Sequence, residues 1–418
     1  MNAPPTRPPP TRPPRLGFAL SLLAIDALGI GIVIPIVPQL VLALAGGAAD
    51  RGARWVGLLA ASFSATQFLF SPLLGALSDR HGRRPVLLLS VLGLGVSYLL
   101  LALAPSLSWL LAARLLAGVT TANVSAVTAY IADVSPPERR GQRFGLVGAM
   151  FGLGFILGPV TGGMLGAISL RLPFYAAAAL AFANALWGFL ALPESLPPER
   201  RRNWRWREVN PLLVLLRLGK RGGEGRLALA WSLTWFGLGA LQSTFVLSMA
   251  LRFGWSSREN GIALAASGLA QTLVQAFLMR RVLNRLGEAR TARLGTLLAA
   301  SAHLTFALAP APGFIGAAIV LSALGAIHAP ALRALFSAAA GPERQGEAQG
   351  TLAALQSLTA IVSPLIGAAA FAHFTGPHAP VFFPGAPFAL AALAYLAASL
   401  LVPRPPRPPP TSAPRDEG

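Results

Sequence analysis

The chain contains no cysteine. This excludes a disulfide framework, thiol chemistry and cysteine-ligated metal. Lysine is nearly absent too: Lys220 is the only one, and every other basic residue is arginine. Charge of either sign is scarce. Asp, Glu, Lys and Arg make up 12% of the 418 residues, where soluble domains carry about 25%. No G-x4-G-K-[S/T] loop is present, so ATP hydrolysis through a P-loop is excluded. The five histidines, His81, His303, His328, His373 and His378, lack zinc-type spacing, and no nucleophile–base pair is recognisable. Neither a metal site nor an enzyme is expected.

What the chain has in quantity is apolar sequence, 54% of its residues. It falls into twelve runs at about 16–44, 55–77, 85–104, 106–132, 143–168, 172–193, 226–251, 257–282, 291–309, 313–337, 347–372 and 383–402. Each is near or above the ~20 residues a helix needs to cross a bilayer. The expected fold is an all-α membrane protein of twelve transmembrane helices. Six helices span 16–193 and six span 226–402, with a central loop at 194–225. Residues 1–15 and 403–418 are Pro-rich and read as disordered tails. The first run is longer than the ~7–15 apolar residues of a signal peptide, and it holds Asp26, Pro35 and Pro38, which argues against cleavage.

The formal net charge of +19 would suit a nucleic-acid binder, but its distribution points to a membrane. With the N-terminus placed in the cytoplasm, 28 of the 34 basic residues fall on the cytoplasmic side and five on the outer side, with Arg114 left deep inside a span. By the positive-inside rule both termini are cytoplasmic, with the bilayer and not nucleic acid as partner. The central loop carries Trp204 and Trp206 among arginines, a composition suited to the headgroup layer.

The halves are repeats. PERRGQRFG from Pro137 returns as PERQGEAQG from Pro342, an offset of 205 residues. The same offset takes Gly82 to Gly287, Pro159 to Pro364 and Gly162 to Gly367. A six-plus-six duplication is the organisation of transporters whose halves rock about a midplane site.

Four features carry candidate chemistry. Asp26 lies ten residues past Leu16, roughly 15 Å along a helix and so near the middle of a ~30 Å hydrocarbon core. A carboxylate there costs several kcal/mol, about 2.5–3.5 on the lenient insertion scale. It reads as a functional ionisable group, or as a neutral hydrogen-bonded Asp that fixes helix packing. Arg114, roughly 12 Å into the fourth run, needs a partner, water or backbone carbonyls. GALSDRHGRRP, from Gly75 to Pro85, places Asp79, Arg80, Arg83 and Arg84 around a tight turn at Gly82. This cluster reads either as a gate between helix ends or as a solvated positive loop. In the fifth run Gly145, Gly154, Gly158, Pro159, Gly162 and Gly163 form G-x8-G-x3-GP-x2-GG, which permits close helix approach and a bend.

These motifs resemble the major facilitator superfamily. The loop after the second run resembles its loop 2–3 signature, and VLNRLGEAR from Val282 is a degenerate second copy, with Asn284 replacing the acid. The fifth-run pattern resembles the signature of its antiporters. IDALGIGIVIPIVPQL, RLLAGVT, FGLGFILGPVTGG, RFGW and VQAF, the last two from Arg252 and Val274, are similar to the twelve-span drug:proton antiporters, and to the tetracycline exporters above all. Gln67, Asp133 and Gln275 match that group in residue type. The resemblance implies proton coupling through Asp26 and Arg114. It also implies a gating loop of Gly75, Asp79, Arg80, Gly82, Arg83, Arg84 and Asp133.

The chain departs from that group where the exporters have an acid, a histidine and an acid, and this sequence has Ser97, Gln271 and Ala299. Those groups are tied to metal–tetracycline and to coupling, so the resemblance implies the pump framework and leaves the substrate open. Gln67, Ser97, Gln271, Gln275, His303 and His328 are the candidate cavity residues, the histidines either as proton carriers or as packing groups. The expected function is efflux of a small amphiphilic drug-like molecule by alternating access. A proton gradient would be its only energy source, no cofactor is involved, and the resemblance implies a monomer in a cell (inner) membrane. A facilitator or symporter of a small metabolite is the alternative. A non-transporting membrane sensor or assembly partner stands behind it.

Overall fold

The computed structural model describes residues 16–121, 124–201 and 222–403. The expected tails, the Trp204–Trp206 stretch of the central loop and Asn123 of the fourth run lie outside the described residues. Among the described residues there is no strand.

The first half comprises α1 (Leu16–Val33), α2 (Val37–Leu44), α3 (Ala49–His81), α4 (Arg83–Leu103), α5 (Leu107–Thr120), α6 (Val124–Asp133), α7 (Arg140–Ile168) and α8 (Leu172–Ala191). The second comprises α9 (Gly222–Phe253), α10 (Ser257–Leu273), α11 (Met279–Leu308), α12 (Gly313–Gly325), α13 (His328–Ala340), α14 (Gln345–Thr375) and α15 (Ala386–Leu401). Nine described stretches are long and apolar enough to cross a membrane, and Leu107–Thr120 and Ala386–Leu401 are shorter apolar helices. One of the nine, Ser257–Leu308, is two spans joined through a non-helical Gly287 (φ 70°, ψ 172°). Counting it as two, with the shorter helices added, recovers the twelve expected spans.

Some spans are not single helices. Pro35 lies in the break between α1 and α2, where a ring without an N–H interrupts the helical ladder. A π-turn, Val274–Leu278, links α10 to α11. The repeat is visible in the backbone: Gly82 and Gly287, 205 residues apart, both have positive φ (105° and 70°) where one span turns into the next. Only glycine takes this conformation without steric cost.

Arginines close helix ends in matching ways. Arg171 donates to the carbonyls of Ala102 and Ala104 (3.2 and 3.1 Å), and Arg252 to those of Phe306 and Ala309 (2.6 and 2.5 Å). These carbonyls end α4 and α11, helices with no intrahelical donors left for them. Two of the five arginines at the arginine-poor end are thereby accounted for. At the arginine-rich end Arg84 and Arg293 do the same for Phe189 (2.6 Å) and Val402 (2.8 Å).

Large apolar side chains face outward, among them Leu89, Leu186, Phe189, Leu393 and Leu400. Such a surface suits lipid and would be an aggregation hazard in water. Among the described residues, a buried cluster that joins the halves lies toward the arginine-poor end. Ile36, Val37, Leu40 and Val41 share one buried cluster with Leu247, Phe371 and Ala372 of the second half. Toward the arginine-rich end each half has its own cluster, Leu22, Val91 and Tyr130 in the first and Trp231, Leu332 and Phe336 in the second.

Candidate functional site: a cavity between the halves

Two glycine seams close the arginine-poor end. A Cβ built on Gly57 of α3 would lie 2.5 Å from Ala368 Cβ of α14. One built on Gly261 of α10 would lie 3.0 Å from Gly163 Cα of α7. Gly163 and Ala368 are 205 residues apart, so the seams are copies related by the repeat. Ser257 donates to the Gln39 side-chain oxygen beside the second seam. At the other end the space is open. Gly141, Gly145 and Gly148 of α7, and Gly346 and Gly350 of α14, have no atom within 4 Å of a would-be Cβ. The described glycine contacts between α7 and α10 and between α3 and α14 thus lie away from the arginine-rich ends of these helices.

The fifth-run glycine pattern splits by role. Gly154, Gly158 and Gly162 fall on one face of α7, and a Cβ on any of them would strike the α1 backbone or side chains at Ala27, Gly31 or Ile32. Gly163 faces α10 of the other half, its would-be Cβ 2.6 Å from the Ser257 carbonyl oxygen. Pro159 is inside α7, its carbonyl against Gly261. Gly145, grouped with these by the pattern, touches nothing.

Asp26 projects from α1 among polar groups of its own half and is 9% exposed. Asn184 of α8 donates to Asp26 Oδ1 (3.2 Å) and to the Leu22 carbonyl (3.2 Å). Tyr98 of α4 packs against α1 one turn on, its ring and hydroxyl 3.4 Å from a would-be Cβ of Gly29. Among the described residues, Tyr98 Oη and Asn184 Oδ1 are buried without a hydrogen-bond partner. Arg114 forms no ion pair with Asp26 among the described residues. Its guanidinium lies 5.8 Å from the Phe63 ring centroid, and Tyr98 is within electrostatic range of both Asp26 and Arg114.

The other cavity candidates divide. Gln67 reaches the Thr121 carbonyl (3.5 Å) and stays partly exposed, as does Gln271. Gln275 sits on the π-turn, exposed; such turns re-aim side chains and are frequent at functional sites. Ser97, His303 and His328 are buried among the helices of their own halves. Ser97 is fully buried and donates to the Ala113 carbonyl (3.1 Å). His303 Nδ1 pairs with the Ala299 carbonyl (2.7 Å) and His328 Nδ1 with that of Gly325 (2.8 Å). A carbonyl only accepts, so both Nδ1 atoms carry the proton. Tyr395 lies between them, its ring centroid 4.8 Å from His303 and 5.4 Å from His328.

Of the loop 2–3 cluster, Arg83, Asp79 and Asp133 are brought together. Arg83, 9% exposed, ion-pairs with Asp79 and with Asp133 (3.4 Å) and donates to Ser78 Oγ (2.6 Å). Gly75 accepts from Ser78 Oγ (2.8 Å), and Arg80 is exposed. Sequence reasoning missed Glu194, just past α8. Its carboxylate accepts the backbone N–H of Arg83 (2.8 Å) and Arg84 (3.2 Å), capping the N-terminus of α4. Gly82 leaves the room: a Cβ there would collide with Glu194 Oε2. In the second half Arg344 pairs with Glu224 and with Glu347 (4.0 Å). Among the described residues every ion pair stays within one half.

A second recess, of about 390 Å³, opens in the second half near the arginine-rich end. Trp231, Trp235, Gln275, Arg333, Ser337 and Gln349 are among its walls. Arg333 lies inside the tenth apolar run, on the side that the charge count assigns to the cytoplasm. It stands within α13, which runs on to Ala340.

The family model described as Major Facilitator Superfamily matches residues 19–241 and 227–418. The chain is 39% identical over 358 residues to the class C tetracycline resistance protein of Escherichia coli, covering 84% of this chain and 88% of that protein. Among solved structures it resembles the human organic anion transporter MFSD10, with 28% identity, a TM-score of 0.66, and 95% of this chain and all of that one covered. It also superposes on the nucleoside transporter NupG (D323A mutant) with a TM-score of 0.75 at 14% identity, covering 92% and 98%, a likeness of fold alone. The protein is a multi-pass membrane transporter and belongs to the major facilitator superfamily.

Proposed function

We propose that the protein exports a small amphiphilic drug-like molecule in exchange for protons, from the inner membrane of a cell, with both termini in the cytoplasm. The observation that carries this reading is Asp26. It is a buried carboxylate held by one side-chain bond, to Asn184 (3.2 Å), on the helix that packs on the α7 glycine face. An ionised carboxylate in such a place costs several kcal/mol unless a proton or a cation joins it. Turnover therefore alternates its charge. Facing the cytoplasm, Asp26 loses its proton as substrate enters the open cavity. The arginine-poor seams then part, substrate leaves, and Asp26 takes a proton from the far side. The Tyr98 hydroxyl, in range of both Asp26 and Arg114, offers the link through which the cation senses that exchange.

The identity with a tetracycline resistance protein supports drug efflux. Tetracycline itself is the first substrate to test, given Ser97, Gln271 and Ala299 at the departing positions. The decisive experiment is uptake into everted vesicles under an imposed proton gradient, with a drug panel including tetracycline, in wild type and Asp26→Asn. Gradient-driven accumulation that disappears in the variant is the expected result. Accumulation indifferent to the gradient and to Asp26 removes proton antiport. A second reading, a carrier of organic anions, draws on the likeness to the transporter MFSD10.

A further inference from the structure

We propose that the recess between α9, α13 and α14 binds the anionic end of a flat aromatic substrate, with Arg333 as the anion ligand, Trp235 as the stacking wall and the buried Trp231 as the rigid support beneath Arg333. This rests on the reading that the central cavity is the substrate path, and it names the substrate class.

The argument begins with Trp231. Its indole N–H donates to the Leu352 carbonyl (3.0 Å) and its ring is 2% exposed, so it cannot turn. Arg333 lies over that ring, the guanidinium carbon 5.6 Å from the ring centroid. The contact uses a face of the guanidinium. The N–H fork at its edge is what matches a carboxylate or sulfonate in bidentate fashion, and it stays available. No acid lines the recess, and among the described residues no carboxylate pairs with Arg333. The acids at the nearby starts of α9 and α14, Glu224 and Glu347, are both committed to Arg344. Arg333 is exposed at the recess, and its fork is free to take an anion that enters there.

The rest of the recess selects what carries the anion. Trp235 is tilted 58° to Trp231 with ring centroids 5.8 Å apart, which forms an aromatic corner. Gln275, on the π-turn, and Gln349 add amides with no hydrogen-bond partner among the described residues. A volume of about 390 Å³ lies in the range of small-molecule sites. Together these features favour two or three fused rings with one acidic group over an aliphatic anion or a cationic amphiphile.

The test is equilibrium binding of radiolabelled 2-naphthoate and of its neutral isostere 2-naphthamide to purified full-length protein in nanodiscs, without a gradient. Naphthoate should bind at least tenfold tighter than the amide. Arg333→Gln should weaken naphthoate tenfold or more and leave the amide unchanged, as loss of a charge-assisted bond predicts. Arg333→Lys should recover only part of that loss. Trp235→Leu should weaken both ligands alike. Equal affinity for naphthoate and naphthamide, no naphthoate binding, or unchanged naphthoate binding in Arg333→Gln overturns the proposal. Size-exclusion elution and unfolding temperature of each variant separate lost binding from lost folding. Failure of vesicle transport with these affinities intact would count against proton-driven export and not against the site.

Discussion

Asn184 Nδ2 stands 3.2 Å from Asp26 Oδ1 and joins the sixth span to the first. The same amide holds the Leu22 carbonyl one turn below, so its position is fixed from two sides. Asp26 thus has one oriented donor, with the unpartnered Tyr98 hydroxyl close by. Asp26→Asn keeps the shape and removes the charge change. The variant should elute and unfold like the wild type yet show no gradient-driven uptake into everted vesicles. Asn184→Leu should reduce transport while leaving a folded protein, because the carboxylate then lacks its donor. Transport at wild-type rate in Asn184→Leu would mean that the bond has no part in coupling.

The two ends of α7 should respond oppositely to one methyl group. A Cβ on Gly158 would sit 2.5 Å from Gly31 Cα, backbone that cannot give way cheaply. Gly158→Ala should cost about 1–3 kcal/mol by overpacking. Gly145→Ala meets nothing within 4 Å and gains up to about 1 kcal/mol of helix propensity. Unfolding temperatures in detergent distinguish the two, and equal values would argue that the whole pattern acts together.

Glu194 is a cap and not merely a charge. Glu194→Ala removes the acceptor for two N–H groups of α4 and should cost about 1 kcal/mol. Gly82→Ala should cost more, since it adds a collision with Glu194 to an unfavourable positive φ of 105°. If Gly82→Ala unfolds at the wild-type temperature, the turn is not constrained as described.

The closed end can be locked. A chain without cysteine needs no background removal, so Gln39→Cys with Ser257→Cys places the only two thiols at a contact between the halves. Oxidation or a short bifunctional thiol reagent should cross-link them and stop transport, and reduction should restore it. Full transport in the cross-linked protein would contradict alternating access across this seam.

The gate is read in the same way. Arg83, Asp79 and Asp133 bond only within the first half while the arginine-rich end is open. Asp79→Ala should shift the inward–outward balance in a spin-label distance measurement across that end. An unchanged distance distribution would return the cluster to a structural role.

The sequence by itself determined the spans, their number and their repeat. Apolar run length and charge placement are local, one-dimensional properties, and the bilayer permits few folds that satisfy a buried backbone. The Gly82–Gly287 relation was legible for the same reason: a positive φ at a span junction admits little else. Asp26 was legible because a carboxylate in an apolar run is costly wherever the run folds. Asn184, Tyr98 and Glu194 were not, because their meaning depends on which helix lies beside them; Asn184 and Asp26 are separated by 158 residues of chain. Burial of Ser97, His303 and His328 inside helix packing was likewise decided by neighbours, and each hydrogen-bonds a backbone carbonyl there. That the halves share a buried cluster toward the arginine-poor end, and that Arg333 stands on Trp231, follow from how the described helices pack. Periodicity and charge counts carry no information about contacts between distant spans, and only the tertiary structure supplies them.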